Sequence, residues 1–566
     1  AAATRINSSG LIEKYRENVL LQSNNFGTTW TTSAASVTSG QSGYDSSSNA
    51  WLLNASSSAT ESYVRQTTSA SGVDSFSIYA KAGTADQLAL YIATSGADVY
   101  SWFDLTNGTT GSGANHINKT ITAIENGWYR ITLTGLNYDQ RVDVYVANAN
   151  GSFLSNSGDN ILIQSAQLET GLVATDYLNS TSLTAKSGVL IDLPRINYDA
   201  NGENGSLLLE PSRQQLIPFS EYFGGWEQQN VSNSANVTSS PEGLNNAYNI
   251  SDNATDSRHI NYLVLSGDLS LSRTFSIYAK ENTLRYLFLS VTNSGDGNCY
   301  SAIFDLQSGV VSGTKTNGDA TLTSSIEDAG NGWYRCIISG TMTTATGDYF
   351  PLIGTSDRAD FTGTLYNDNS PFYVGNGSSI YIFGAQLEAN ASYQSSYIPN
   401  HGTSGGVTRA ADSCTSGGSA ESINSVEGVL YAEIAALIND GTQRAISIYK
   451  DSSLDNVIAI QYNSVSQNIR YLYRQGITTI ADLNFVVSDI TIVHKIAGSW
   501  ENNNFRLFVD GVKVGEQLSG NVAPANTFIT LGFNRPDGQT FFGNAKQVAV
   551  FNEALSDSEL ATLTTL

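Results

Sequence analysis

Phe76-Ser77-Ile78-Tyr79-Ala80-Lys81 recurs without change as Phe275-Ser276-Ile277-Tyr278-Ala279-Lys280. In an extended strand, successive side chains point to opposite faces, so the Phe, Ile and Ala of this hexapeptide share one face and its Ser and Tyr share the other. This two-residue period is typical of a β-strand that buries one face. The recurrence indicates that the chain contains a duplicated β domain.

Further paired motifs follow the hexapeptide in the same order in both copies. They are Trp102-Phe103-Asp104-Leu105 with Ile303-Phe304-Asp305-Leu306, Asn126-Gly127-Trp128-Tyr129-Arg130 with Asn331-Gly332-Trp333-Tyr334-Arg335, and Ala166-Gln167-Leu168-Glu169 with Ala385-Gln386-Leu387-Glu388. The offset is roughly 200 residues and drifts upward as loops in the second copy lengthen. Because solenoid repeats span only about 20 to 50 residues, each copy is predicted to be an independent domain with its own core.

The rest of each copy also alternates in strand fashion, as in residues 141–146 and 379–383. Asn-Gly, Ser-Gly and Gly-Asp turn signals separate these runs, and no long amphipathic helical pattern interrupts them. This combination predicts antiparallel β-sandwiches of the jelly-roll kind. A chain of 566 residues is too long for one core, so about three domains are expected.

The C-terminal part has a different pattern. Two strand-like runs flank Asp510-Gly511, the strongest hairpin signal in the chain. Ser556 followed by Glu559 forms a capping-box pattern, which predicts a short C-terminal helix. The predicted fold is therefore all-β, with tandem antiparallel β-sandwich domains and a short helix near the end of the chain.

These patterns set the predicted domain boundaries. They are an N-terminal connector at 1–17, a first sandwich at 18–180, a linker at 181–214, a second sandwich at 215–401, a linker rich in Gly, Ser and Thr at 402–422, and a third domain at 423–566.

The composition excludes several classes of partner. Charged residues make up 14% of the chain and the formal net charge is −23, so the surface repels phosphate. Nucleic acid and anionic lipid are therefore not expected partners. Membrane insertion is not expected either, because no apolar run approaches the roughly 18 residues of a spanning helix. The chain begins without methionine, and we expect processing or trimming upstream.

The sequence predicts no cofactor. Cys299, Cys336 and Cys414 are too scattered for a zinc site and are expected to be reduced, although Cys299 and Cys336 could pair if their strands were neighbours. The segment 199–205 resembles a calcium loop, but its glycine is one place late and no glutamate follows at the required distance, so a β-turn is favoured. The turns after Asp104 and Asp305 could also offer oxygens to calcium, although ordinary turns are again favoured.

No catalytic motif is recognisable in the sequence. It contains no strand with alternating carboxylates, no Gly-x-Ser-x-Gly elbow and no phosphate loop, and its four histidines are spread singly. We therefore expect a protein that is not an enzyme.

Aromatic residues are the candidates for binding, because sugar rings stack on them while amides and carboxylates hold the hydroxyl groups. Trp128 and Trp333 recur in a fixed motif and are assigned to the core, as are Trp30 and Trp226. Residues outside the repeated motifs are the better candidates for carbohydrate binding. These are Tyr471, Tyr473, Arg474, Trp500, Phe533, Asn534, Arg535 and Asp537.

The C-terminal domain resembles the laminin-G and pentraxin type of concanavalin A-like domain. The resemblance covers about 140 residues and is carried by the hairpin Phe508-Val509-Asp510-Gly511-Val512-Lys513-Val514-Gly515 and the closing segment Val550-Phe551-Asn552-Glu553-Ala554-Leu555-Ser556-Asp557-Ser558-Glu559-Leu560. It implies a lectin-like fold and leaves the ligand open.

Residues 1–412 resemble repeated domains of virion structural proteins from tailed phages, many of them marine. The matching segments include Thr4-Arg5-Ile6-Asn7-Ser8-Ser9-Gly10-Leu11-Ile12-Glu13, Leu193-Pro194-Arg195-Ile196-Asn197-Tyr198, Ser206-Leu207-Leu208-Leu209-Glu210-Pro211 and Ser396-Tyr397-Ile398-Pro399. This resemblance implies a location on the virion surface, in a fibre, a tail tip or a head decoration. It also implies other virion proteins and a host-surface glycan as partners.

The leading hypothesis is a virion structural and adhesion protein that presents lectin-like domains to host-surface glycans. A homo-oligomer, with a trimer favoured, is expected because fibre proteins manage weak sheet edges by symmetric association. The alternatives are a polysaccharide-degrading enzyme, or its accessory binding chain, and a purely architectural virion protein.

Overall fold

The computed structural model describes residues 3–68, 71–137, 140–268, 270–293, 297–342, 346–465 and 467–566. Its regular structure is almost entirely antiparallel β-sheet, which confirms the predicted fold class. The chain forms two compact units. The first contains Ala1–Arg5, Leu11–Asp192 and Gln214–Arg409, and the second contains Ile6–Gly10, Leu193–Arg213 and Ala410–Leu566.

The first sandwich follows two N-terminal strands. The strands are β1 (Thr4–Ile6), β2 (Ile12–Asn18), β3 (Thr31–Ser33), β4 (Ala35–Gln41), β5 (Ala50–Ala55), β6 (Thr60–Thr68), β7 (Gly72–Ala82), β8 (Gln87–Ala93), β9 (Val99–Asp104), β10 (Thr109–Ala114), β11 (His116–Ala123), β12 (Trp128–Asn137), β13 (Gln140–Ala147), β14 (Leu154–Ser155), β15 (Asn160–Thr170) and β16 (Ala185–Gly188). We call the sheet in the order β10-β9-β8-β13-β6-β14 the front sheet, and the sheet β11-β12-β7-β15-β5-β4 the back sheet.

The second sandwich repeats this arrangement. After β17 (Ile196–Asn197) and β18 (Ser206–Leu209) come β19 (Arg213–Gln215), β20 (Glu227–Gln229), β21 (Val231–Thr238), β22 (Ala247–Asp252), β23 (Asp256–Ser257), β24 (Ile260–Tyr262), β25 (Leu265–Asp268), β26 (Arg273–Glu281), β27 (Tyr286–Asn293), β28 (Cys299–Asp305), β29 (Val310–Asn317), β30 (Thr323–Asp328), β31 (Tyr334–Gly340), β32 (Thr346–Ser356), β33 (Tyr373–Val374), β34 (Ser379–Ala389) and β35 (Val407–Arg409). Its front sheet is β20-β24-β32-β27-β28-β29 and its back sheet is β21-β22-β34-β26-β31-β30.

Alternation places the repeated hexapeptide as predicted. Phe76 and Ile78 of β7 lie fully buried between the sheets, and Phe275 and Ile277 of β26 do the same in the second copy. Full burial of each such side chain stabilises the fold by about 1.5–3 kcal/mol relative to leaving it exposed.

Each sandwich has a core of its own, as the repeat length predicted, but the two sandwiches also contact each other. Val73 and Leu172 of the first sandwich belong to the same apolar cluster as the core of the second. The backbone N–H of Val73 donates to the carbonyl of His401 in the second sandwich (2.7 Å). Because apolar and backbone contacts cross the boundary, the duplicated domains pack into one unit.

A buried polar group, the junction cluster, also joins the sandwiches; it consists of Lys14, Glu221, Glu242, Tyr397 and His401. The ammonium group of Lys14 donates to Glu221 (2.8 and 3.1 Å) and lies 2.6 Å from Glu242. The hydroxyl of Tyr397 donates to Glu221 (3.0 Å). The end of the predicted N-terminal connector, from Leu11 onward, therefore belongs to the first unit, where Lys14 on β2 forms ion pairs with carboxylates of the second sandwich.

The second unit contains β36 (Gly428–Ala436), β37 (Arg444–Tyr449), β38 (Val457–Tyr462), β39 (Asn468–Gln475), β40 (Thr478–Val486), β41 (His494–Glu501), β42 (Asn504–Val509), β43 (Val512–Gln517), β44 (Thr530–Gly532), β45 (Gly543–Phe551) and the helix α1 (Asp557–Thr564). Its sheets run in the orders β17-β18-β45-β36-β41-β42-β43 and β40-β39-β38-β37-β44.

The predicted linkers are partly structured. In the first, β16 pairs with β2, whereas β17 and β18 extend a sheet of the second unit through Leu207, which pairs with Ala545. In the second, β35 belongs to the first unit. Both segments were predicted to be linkers because they are rich in Gly, Pro and polar residues, yet each contains short strands that pair with a sheet.

The local signals of the third domain are confirmed. Asp510 (φ 50°) and Gly511 (φ 84°) make the turn between β42 and β43, where a left-handed backbone matches the strand twist. The side chain of Ser556 accepts a hydrogen bond from the N–H of Glu559, and the carboxylate of Glu559 accepts one from the N–H of Ser556 (2.8 Å). This capping box begins helix α1.

Candidate functional site

The repeated motifs build the fold rather than a binding surface. Asn126 (φ 60°) and Gly127 (φ 78°) place the chain in a left-handed turn before the buried Trp128, and Lys81 of the hexapeptide donates to the carbonyl of Asn126 (2.7 Å). Lys280 donates to the carbonyl of Asn331 (2.8 Å) in the second copy. These paired contacts explain why Lys and Asn-Gly recur together.

The other repeated polar residues hold the loop that follows the last strand of each copy. Glu169 accepts from the N–H of Thr175 (2.7 Å), and Glu388 accepts from the N–H of Ser395. Trp128 and Trp333 are 2% and 1% exposed, and Trp30 and Trp226 are also buried, which confirms their assignment to the core.

Three of the sequence-predicted binding residues lie in the core of the second unit. Tyr471, Tyr473 and Trp500 have no exposed surface and cannot stack on a ligand in this fold. Each polar tip has a partner inside: the hydroxyl of Tyr471 donates to the carbonyl of Ser499 (3.1 Å), and the indole N–H of Trp500 donates to the carbonyl of Asn424 (3.2 Å). The prediction for these residues is therefore wrong, because a position outside the repeated motifs does not place a side chain on the surface.

The structure brings the remaining loop residues together. Arg535 forms an ion pair with Asp537, and it also donates to the side chain of Gln461 on β38 (3.0 Å). Burial acts to raise the pKa of the Asp537 carboxyl, but the hydrogen bonds and charge of Arg535 outweigh it and lower that pKa. Asn534 accepts from the hydroxyl of Tyr449 (3.3 Å). The loop thus folds onto the outer face of the β40-β39-β38-β37-β44 sheet.

Phe533 and Arg474 do not join this contact. Phe533 packs towards the core, with its ring 6.2 Å from that of Phe541. Arg474 pairs with Val457, whereas Gln461 pairs with Arg470, so Arg474 lies four residues along the strand from the contact of Arg535. At about 3.3 Å per residue this is a separation of roughly 13 Å.

The residues that sequence reasoning missed lie on the front sheet of the second sandwich. Leu287, Leu289 and Val291 of β27 point into the core, so Tyr286 and Phe288 point outward. The aromatic and aliphatic side chains on this outer surface form a cluster. It consists of Ile260, Phe288, Ile303 and Leu352, with the partly buried Tyr262, Tyr286, Phe350 and Phe361 packed against them. We call this surface the front face.

A loop after β32, residues 357–372, folds over part of the front face; we call it the wall loop. Strand β27 holds the backbone of this loop, because the hydroxyl of Ser290 donates to the carbonyl of Asp368 (3.1 Å). The side-chain amide of Asn369 donates to the hydroxyl of Ser301 (3.2 Å). The ring of Phe361 packs against Phe288 at 6.3 Å. These contacts fix the loop over β27 and β28.

A pocket of about 360 Å³ lies beside the wall loop and is lined by residues of β24, β27 and β32 and of the loop itself. Its apolar surface includes Tyr262 and Phe350, whose rings are 6.2 Å apart at 64°. Its lining residues are Arg258, Ile260, Tyr262, Thr292, Asn293, Gly297, Phe350, Leu352, Tyr366, Asn367 and Asp368. This mixture of ring surfaces with amide and hydroxyl groups is typical of small-ligand sites.

Arg258 organises the wall of this front-face pocket. Its guanidinium forms an ion pair with Asp368 and lies 4.3 Å from the ring centroid of Tyr366. It also donates to the side chain of Gln229 (3.0 Å). The ring of Tyr366 stacks on Phe372 at 4.6 Å and 11°. The wall is therefore built from side chains that hold one another in place.

The front face of the first sandwich carries aromatic residues at other positions. They are Tyr63, Tyr91, Tyr100, Trp102, Tyr145 and Phe153. Phe153 packs 4.6 Å from Trp102 and 4.8 Å from Tyr145, so the rings cover one another. Arg65 forms a bidentate ion pair with the buried Asp143 (3.0 and 2.8 Å). Burial and the charge of Asp143 raise the pKa of Tyr145 well above its ordinary value.

A sequence signal for the front-face pocket was present. The offset between copies rises from 205 residues at Asn126 and Asn331 to 219 at Ala166 and Ala385. Most of the extra residues fall between β32 and β34, where the wall loop lies. A local jump in the repeat offset therefore indicates an insertion that one copy has and the other lacks.

The contacts of Asp104 and Asp199 bear on the alternative that these turns bind calcium. Asp104 accepts from the backbone N–H of Thr106 (2.9 Å) and Asn107 (2.8 Å), and Asp199 accepts from Asn201 and Glu203 (both 2.9 Å), so both carboxylates serve turns as favoured. In the described ranges, no group of three or more His, Cys, Asp or Glu side chains is placed to hold a metal ion. Cys299, Cys336 and Cys414 are free thiols, as expected.

Comparison with known proteins identifies the C-terminal domain. Residues 434–561 match the family described as the concanavalin A-like lectin/glucanases superfamily. This part of the chain is a concanavalin A-like domain. The match covers less than half of the chain and leaves the two sandwiches without a family assignment, and no curated protein sequence matches the chain significantly.

Solved structures were compared as well. A family 40 carbohydrate-binding module of a Ruminococcus gnavus sialidase, bound to α2,3-sialyllactose, is 12% identical, covers 27% of this chain and 94% of its own, and has a TM-score of 0.23. A tandem of family 22 modules from Paenibacillus barcinonensis Xyn10C is 12% identical over 66% and 97%, with a TM-score of 0.20. Domains LG4-5 of the mouse laminin α1 chain are 10% identical over 54% and 90%, with a TM-score of 0.19. Matches with identities and TM-scores this low do not indicate a function.

Among the residues that the structure describes, no helix has the length and apolar character needed to cross a membrane.

Proposed function

We propose that this chain is a glycan-binding adhesion protein of a bacteriophage particle, and that the front-face pocket of the second sandwich is its glycan site. The observation that carries the proposal is the composition of that pocket. Ring surfaces of Tyr262 and Phe350 stand beside the side chains of Thr292, Asn293 and Asn367. The C–H faces of a sugar stack on such rings, and its hydroxyl groups bond to amides and hydroxyls.

The charge of the chain supports this ligand class. A formal net charge of −23 disfavours nucleic acid and anionic surfaces, whereas an uncharged polysaccharide pays no electrostatic penalty. The same chain also contains a concanavalin A-like domain, whose superfamily includes lectins. The fold by itself does not fix a ligand.

Binding is tested with an array of immobilised bacterial polysaccharides and the full-length chain. The proposal expects capture by at least one neutral polysaccharide, and it expects Tyr262→Ala to weaken that capture about tenfold or more. Tyr286→Ala is the matched control, because Tyr286 lies on the same front face but does not line the pocket. Absence of capture by every polysaccharide would contradict the proposal.

The same polysaccharides test the proposed lack of enzymatic activity. Incubation with the chain should leave the amount of reducing ends unchanged while binding persists. A steady release of reducing ends, abolished by heat denaturation, would instead favour the polysaccharide-degrading alternative.

Placement on a virion rests on the resemblance of residues 1–412 to phage structural proteins. Mass spectrometry of purified particles should find the chain at a stoichiometry of several copies per virion, and antibody labelling should locate it on the particle surface. We also propose a homotrimer, and sedimentation that gives only a 60.4 kDa monomer at high concentration would contradict it.

A further inference from the structure

The front-face pocket is closed along one direction. Its lining comes from β24, β32 and the end of β27, whereas the wall loop is fixed over β27 and β28 through Ser290 and Ser301. The front sheet runs in the order β24, β32, β27, β28. A polymer lying across these strands from β24 would therefore meet the wall loop before it reached β28.

The wall cannot move aside without breaking several contacts at once. Asp368 is 8% exposed and Asn369 is fully buried, so this part of the loop is packed as tightly as a core segment. Asn369 also donates to the sulfur of Cys299 (3.0 Å), and the Arg258–Asp368 ion pair ties the loop to the segment before β24. Loops with so many buried bonds belong to the stable part of a protein.

The volume agrees with a short ligand. About 360 Å³ is near the lower end of the roughly 300–1,000 Å³ of known ligand pockets, which is room for a sugar ring or two and not for a long segment. On the front face of the first sandwich, the rings pack against Phe153 instead.

The charges of the lining select against acidic sugars. Of the described residues that line the pocket, Arg258 and Asp368 are the charged ones, and they neutralise each other. A carboxylate on the ligand would therefore find no surplus positive charge, and its desolvation would be uncompensated.

We infer that the front-face pocket recognises the end of a glycan chain, namely an uncharged terminal sugar, rather than the interior of a polymer. This inference rests on the proposed function and names its ligand class. Tyr262 and Phe350 supply the surface on which the terminal ring stacks, the amides hold its hydroxyls, and the wall loop stops the chain.

Competition tests the inference with a polysaccharide that the full-length chain captures. The probes are methyl α-glycosides of glucose, galactose, mannose and rhamnose, with methyl α-galacturonoside as the acidic counterpart of the galactoside. At least one neutral glycoside at millimolar concentration should reduce capture tenfold or more, and the galacturonoside should not. Capture by Tyr262→Ala should be weak, and the neutral glycoside should not reduce what remains of it. Tyr286→Ala should behave as wild type.

The outcomes separate the two proposals. Capture that depends on Tyr262 but resists every monosaccharide would show that the pocket binds chain interiors, which overturns the inference and keeps the proposed function. Equal inhibition by galactoside and galacturonoside would overturn the neutral-sugar part. If no polysaccharide is captured, both proposals fall.

Discussion

The two sandwiches have the same core and different front faces. Phe76 and Phe275 occupy equivalent positions on β7 and β26, and the Trp of each Asn-Gly-Trp-Tyr-Arg motif is buried in the same way. On the front sheets, by contrast, Trp102 of the first copy corresponds to Ile303 of the second in the paired motif. The first front face is filled by its own rings, whereas the second holds a pocket beside an inserted loop.

This difference shows how a duplicated sandwich can keep its stability and change its surface. Because side chains alternate across a strand, residues on the outer face can be replaced without disturbing the residues that face the core. An insertion in a loop is also tolerated well, since loop length has only a small entropic cost. The pocket is therefore a feature that one copy can have and the other can lack.

The largest expected effect concerns the junction that makes the two copies one unit. Lys14→Met leaves the carboxylates of Glu221 and Glu242 buried without their cation, which should cost about 3–5 kcal/mol of unfolding free energy. Lys186→Met, at a surface ion pair 3.8 Å from Glu17, should cost under about 1 kcal/mol. Chemical denaturation measures both, and equal midpoints for the two variants would show that the sandwiches do not depend on the junction.

A smaller effect of the same junction should appear on acidification. Burial and the charge of Lys14 lower the pKa of His401 to about 3. Between pH 6.5 and pH 3, His401 is therefore protonated in the unfolded chain and neutral in the folded chain. Stability should fall as pH drops from 6.5 towards 3, by about 2 kcal/mol at pH 5.

His401→Gln isolates this contribution. Glu242, whose pKa burial raises, contributes the opposite pH dependence in both proteins. The wild type should lose more stability than the variant between pH 7 and pH 5. Parallel stability curves would refute a buried neutral His401.

The shared core motif should respond alike in both copies. Gly127 and Gly332 both have φ of 78°, a conformation in which a Cβ is strained, so Gly127→Ala and Gly332→Ala should each cost about 1–2 kcal/mol. Gly96→Ala, where an added Cβ meets nothing closer than 4.0 Å, is the control. A cost in one copy alone would mean that the motifs do not have the same structural role.

A comparison of two thiols concerns the wall loop. Burial raises the pKa of Cys299 to about 11, and Asn369 of the loop covers its sulfur, whereas Cys414 is exposed. At pH 8, iodoacetamide should modify Cys414 at least about a hundredfold faster than Cys299, because the thiolate is the nucleophile. Peptide mass spectrometry gives both rates, and comparable rates would show that the wall loop opens readily.

Much of the fold could be predicted, because its signals are local and repeated. The hexapeptide has an unambiguous two-residue period, and Asp510-Gly511 and Ser556 with Glu559 have a defined turn and cap chemistry. Residues 193–213 were included in the predicted linker 181–214, since short edge strands differ little from turns in composition.

The candidate site was harder to predict for a physical reason. In β27, Tyr286 and Phe288 alternate with Leu287 and Leu289, so both faces are apolar and alternation cannot say which face is outside. Tyr471 was predicted to bind carbohydrate because it lies outside the repeated motifs, although its side chain is internal. Which of the two faces is buried depends on how the sheets pack together.

Hydrogen–deuterium exchange of the full-length chain with a captured polysaccharide tests the central claim most directly. The account predicts that the ligand slows exchange in the wall loop and in β24 and β32 of the second sandwich, and leaves the front sheet of the first sandwich unchanged. Protection confined to the first sandwich, or to the loop at residues 533–537 of the concanavalin A-like domain, would contradict it.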